Sequence, residues 1–125
     1  MKTILMILTT LFLISFSASA FAAEVLKFPM REGSNAGAHE HNQEGIMHYG
    51  KGHFKEALKH FQMASKIDSS VGESHYNEAL CLDKLGQHGD ATKHFYAARK
   101  YAHGNSAILK SPILNDHAPM KSEGS

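Results

Sequence analysis

The stretch KLGQHGDATKHFYAARK, residues 84–100, restates YGKGHFKEALKHFQMASK, residues 49–66, at an offset of 34 positions. Gly52 matches Gly86, Phe61 matches Phe95, and Ala57 and Ala64 match Ala91 and Ala98. Polar positions repeat too: Lys59 with Lys93, His60 with His94, and Glu56 with Asp90. A unit this small cannot bury its own apolar face, so copies of it must stack to form a core. That requirement constrains the fold more than any other property of the chain.

The period inside each copy is helical. Phe54, Ala57, Leu58, Phe61, Ala64 and Ile67 recur at spacings of three and four, which puts them on one stripe of a helix. In the second copy Tyr76, Ala79, Leu80 and Leu82 precede Gly86, and Ala91, Phe95, Ala98 and Tyr101 follow it. Gly52 and Gly86 stand where a chain turns from one helix into the next. The pattern predicts an all-α fold of stacked antiparallel helical hairpins, with helices near 39–50, 54–67, 72–85 and 89–102.

This arrangement resembles the tetratricopeptide repeat, whose period is 34 residues. That family places a Gly at the turn, an aromatic just after it, and then Ala, an aromatic and a second Ala along the following helix. Gly52, Phe54, Ala57, Phe61 and Ala64 meet all of these in the first copy, while His88 replaces the early aromatic in the second. Gly45 and Ala79 occupy the family's small-residue position on the first helix. Departures are specific. Glu44 and Glu78 stand where an apolar residue is usual, His41 and His75 where a bulky aromatic is usual, and Ser69 and His103 where a Pro often closes the repeat. The resemblance implies a fragment of a right-handed solenoid.

The ends frame this unit. Residues 1–22 carry one cation, Lys2, then an apolar run and a tandem Ala-x-Ala, the layout of a bacterial secretory signal peptide. The expected organisation is a signal peptide at 1–22, an extended leader at 23–37, repeats at 38–71 and 72–105, and a short cap and loose tail at 106–125. A periplasmic or secreted location follows from that reading. The stretch SAILKSPIL, residues 106–114, can begin a capping helix that Pro112 is expected to cut short. Two copies are few for a stable stack, and a homodimer is the other way to cover an open end. Cys81 is the only cysteine, so no internal disulfide forms, and its neighbours Leu80 and Leu82 predict a buried, inert thiol.

Charge is balanced, with 13 Lys and Arg against 12 Asp and Glu, and no basic run marks a nucleic-acid surface. The chain has no G-x-S-x-G, HExxH, phosphate loop or CxxCH, so a non-catalytic protein is expected. The resemblance implies a concave groove for a protein or peptide, lined by the first helix of each copy: His39, Asn42, Ile46 and Tyr49, then Glu73, Tyr76, Leu80 and Asp83. The acids Glu73 and Asp83 disfavour the carboxylate-clamping specificity found in part of that family.

The ten histidines support a second reading, a His-rich metal-binding or metal-buffering protein. Glu56–His60 and Asp90–His94 are i,i+4 pairs at matched places, and His41–Glu44 and His75–Glu78 are matched i,i+3 pairs. A site is expected to need ligands pooled between helices, such as His60 with His94, or His53 with His88 from the two turns. Without a second Cys such a site is labile, holding Zn, Cu or Ni weakly.

Overall fold

The computed structural model describes residues 24–120, and the signal-peptide reading lies outside them. Six helices follow in order: α1 (Ala36–Gly50), α2 (Phe54–Ile67), α3 (Gly72–Lys84), α4 (His88–Lys100), α5 (Ser106–Leu109) and α6 (Pro112–His117). The described residues contain no strand. No helix among them is long and apolar enough to cross a membrane. The chain is therefore all-α, with α1–α2 and α3–α4 as packed hairpins and α2 joining them through its contact with α3.

Both hairpin turns have the same chemistry. Gly52 and Gly86 adopt φ of 75° and 77°, where a Cβ would clash with the backbone. Gly52 N–H donates to Tyr49 O and His53 N–H to His48 O, each at 2.9 Å. At the second turn Gly86 N–H donates to Asp83 O at 3.0 Å and Gln87 N–H to Leu82 O at 2.9 Å. These paired bonds form the Schellman motif, which satisfies the last carbonyls of α1 and α3. The other predicted boundaries shift little. The largest shift is at α1, which starts three residues early because the Asn35 side chain accepts from Gly37 N–H and Ala38 N–H.

Burial follows the repeat. Phe61, Ala57 and Ala64 of α2 are fully buried, as are their counterparts Phe95, Ala91 and Ala98 of α4. Phe61 lies so close to α1 that a Cβ on Gly45 would fall 2.5 Å from its ring. The second copy accommodates Ala79 at that position. Cys81 is completely buried beside Phe61, and burial pushes its thiol up to about 12, so it stays protonated and unreactive.

The C-terminal segment holds the expected short helix, α5, which stops at Leu109 before Pro112, and adds a second. Pro112 begins that second helix, α6, because the first helical position needs no N–H. Ser111 caps it, its hydroxyl accepting from Leu114 N–H. Ile108, Leu114 and Ala118 are fully buried against α3 and α4. The open end of the stack is thus covered by the chain's own α5 and α6.

Candidate functional site

The first helices of the two hairpins are already partly covered. Residues 24–28, which belong to no helix or strand, run across them antiparallel to α1 and α3, from Glu24 near Tyr49 and Asp83 to Phe28 near Ala38 and Val71. Two fully buried asparagines grip its backbone. Leu26 N–H donates to Asn77 Oδ1 at 2.7 Å. Leu26 O accepts from Asn77 Nδ2 at 2.8 Å and from Asn42 Nδ2 at 3.0 Å. Asn77 Nδ2 also donates to Asn42 Oδ1 at 3.0 Å, so the two amides hold each other in register. Bonding to main-chain groups fixes the path of an extended segment without depending on its sequence. Selectivity falls to the side chains. Val25 and Leu26 are half-buried against the core, and Phe28 is buried and meets the His39 ring edge-on at 6.2 Å, while Lys27 is exposed.

The eight groove residues therefore have different roles. Asn42 binds the leader, and His39 packs on it. Glu73 accepts from Asn105 Nδ2 at 2.9 Å, and the Tyr76 hydroxyl bonds Ser111 Oγ at 2.8 Å; both tie α3 to the C-terminal cap. Leu80 is buried core, and Ile46 is half-buried in the Phe61 cluster. Tyr49, Tyr76, Leu80 and Asp83 also line a cavity of about 910 Å³, bounded by Glu24 at one end and by Ile113 and His117 of α6 at the other. Tyr49 packs edge-on to Phe54, and burial pushes its phenol up to about 12. Asn77 was missed from the sequence because it lies 35 positions from Asn42, and the repeat register gives Asn42 the counterpart Tyr76.

The histidines gather in three groups with carboxylates: Glu44, His48 and His60; His75, Glu78 and His94; and Asp83, His88 and His117. The pooling expected from the sequence is corrected on each count. His60 and His94 belong to separate groups among the described residues, because α2 packs on α1 and α3 and each ring turns into its own hairpin. His53 faces His48 at 6.0 Å between ring centroids, whereas His88 Nδ1 lies 2.7 Å from Asp83 Oδ1. Glu56 is exposed and in none of the groups, and Asp90 pairs with Lys93 at 3.0 Å instead of His94.

Two members of the first group, Glu44 and His60, recur in the second as Glu78 and His94, whereas His48 corresponds to Leu82 and His75 to His41. His41, Glu44 and His60 stand 34 positions before His75, Glu78 and His94. In the first copy His41 Nδ1 lies 3.3 Å from His60 Nδ1, and the His48 ring stacks on His60 at 5.3 Å. Burial, then the neighbouring His48, lower the His60 pKa. In the second copy Glu78 is 2 % exposed, with Oε2 at 3.3 Å from His75 Nδ1 and 2.9 Å from His94 Nδ1. Burial pushes the Glu78 carboxyl up, but the contacts with His75 and His94 outweigh it and the net shift is downward. Burial likewise opposes charge on His75, yet Glu78 and the Ser69 carbonyl raise its pKa overall. The third group joins hairpin to cap: Asp83 Oδ1 lies 3.0 Å from His117 Nε2, and Thr92 Oγ1 lies 3.1 Å from its Nδ1.

No family model, curated protein or solved structure matches the chain.

Proposed function

We propose that the chain is an exported, non-catalytic binding module of tetratricopeptide type, whose groove takes an extended segment of a partner protein. The observation that carries this reading is the double-asparagine grip on both main-chain groups of Leu26. A groove that binds peptide backbone in cis has the chemistry to bind it in trans. The leader then acts as a competing strap. The preferred partner segment has apolar side chains at the positions of Val25, Leu26 and Phe28, and extends past Glu24 into the cavity lined by Tyr76 and Leu80.

A fluorescent peptide of sequence EVLKFPM tests this by polarisation. The full chain with Leu26→Ala and Phe28→Ala in its own leader is expected to bind it, and the unmodified chain to bind about tenfold more weakly or worse, since its strap leaves only a small fraction of grooves open. Adding Asn77→Ala to the opened variant should abolish binding. If a folded opened variant does not bind the peptide, the groove serves only its own leader and the reading fails.

A further inference from the structure

We propose that His75 Nδ1, Glu78 Oε2 and His94 Nδ1 form a binding site for one divalent transition cation of the zinc and copper class. All three atoms are sealed from solvent, and among the described residues none has a hydrogen-bond partner. The approaches of 3.3 Å and 2.9 Å to Glu78 Oε2 are close but lack hydrogen-bond direction. A buried carboxylate oxygen without such a partner is costly, and a chain that keeps one needs a positive charge beside it.

The surroundings prepare the atoms as ligands. His75 Nε2 lies 2.8 Å from Ser69 O. A carbonyl only accepts, so the ring proton sits on Nε2 and the lone pair of neutral His75 is on Nδ1, facing Glu78. Two lone-pair atoms facing each other repel unless a proton or a metal cation lies between them, and the two compete for the same atoms. Ser65 Oγ donates to Glu78 Oε1 at 2.9 Å, leaving Oε2 to the site. A backbone carbonyl behind one ligand and a hydroxyl behind another make an outer shell of the kind that orients metal ligands.

Spacing agrees. Zinc bonds of about 2.0–2.1 Å put two ligand atoms about 3.3 Å apart at a tetrahedral angle and about 2.9 Å apart at a right angle. One ligand atom from each of the three residues lies within 4.8 Å of the other two. Two imidazoles and one carboxylate suit Zn(II), Cu(II) or Ni(II), and disfavour Ca(II) and Mg(II), which take oxygen ligands. The His94 side chain is 32 % exposed, so the site lies one side chain from solvent and rotation of that ring would open it.

Calorimetric titration of the untagged full chain with Zn(II) alone tests the site. One tight site is expected. His94→Ala should weaken it by well over about tenfold, and Ser65→Ala by about tenfold, the scale of an outer-shell loss. His53→Ala, an exposed histidine outside the groups, should leave it unchanged. X-ray absorption of the zinc-loaded unmodified chain needs no variant, and should show two imidazole nitrogens with oxygen ligands. Unchanged affinity in folded His94→Ala, equal small losses in the His94 and His53 variants, or an absorption spectrum with a different ligand set would overturn the proposal. None of these outcomes bears on the peptide groove, which uses other residues.

Discussion

Phe61→Ala is expected to lower the free energy of unfolding by about 3–5 kcal/mol, and Phe95→Ala by a similar amount. Both rings are completely buried at matched places in the two hairpins. Phe61 fills the space that Gly45 leaves open on α1. Because no side chain on Gly45 can move into the gap, truncation leaves a cavity that only backbone movement can close. Phe95 stands edge-on to Tyr76 at 5.8 Å and faces His117 at 5.1 Å, so its loss also loosens the joint between α3, α4 and the cap. Tyr96, the next residue, is 41 % exposed and serves as the control, with an expected change of about 0.5 kcal/mol or less on truncation. Urea titrations of the three variants decide the matter. A loss below about 1 kcal/mol for either Phe would mean that its hairpin is not packed as described.

Asn77→Ala is expected to be the most damaging polar substitution outside the histidine groups. It removes the partner of Leu26 N–H and a partner of Asn42 Oδ1, both in the buried groove. An unsatisfied buried polar group costs on the order of 1–3 kcal/mol, so two of them place the loss at about 2–4 kcal/mol after partial relaxation. Asn42→Ala should cost less, because Asn77 still holds both main-chain groups of Leu26. The two variants also differ in how firmly the leader is held. Trypsin should cut after Lys27 faster in Asn77→Ala than in Asn42→Ala, and slowest in the unmodified chain. Equal cutting in all three would show that the amides do not secure the leader.

The hairpins were legible in the sequence because their determinants are local. Spacing of three and four places Phe61 and Phe95 inward, and Gly52 and Gly86 supply the left-handed turn residue wherever they occur. The cap was half legible. Ile108 and Leu114 are apolar, but whether Pro112 ends one helix or starts another depends on Ser111 accepting from Leu114 N–H. The leader's place was not legible, since an extended segment has no period to reveal what it docks on. The histidine groups were read along single helices, where i,i+4 pairs such as Glu56–His60 are visible. Their partners come from the facing helix: Glu44 for His60 and Glu78 for His94. The oddity that marks them is present all the same, in acids and histidines at positions where a stacked helical repeat would pack apolar and aromatic side chains. Asn77 carried no such mark, because it falls one residue out of the repeat register.

Amide hydrogen exchange at residues 24–28 of the full chain tests most directly the claim that the groove grips an extended backbone. Leu26 N–H donates to a fully buried Asn77, whereas the neighbouring Lys27 is exposed. The expected result is strong protection at Leu26, approaching that of the α3 core, beside rapid exchange at Lys27, with the Leu26 protection lost in Asn77→Ala. Exchange at Leu26 as fast as at Lys27 in the unmodified chain would contradict it.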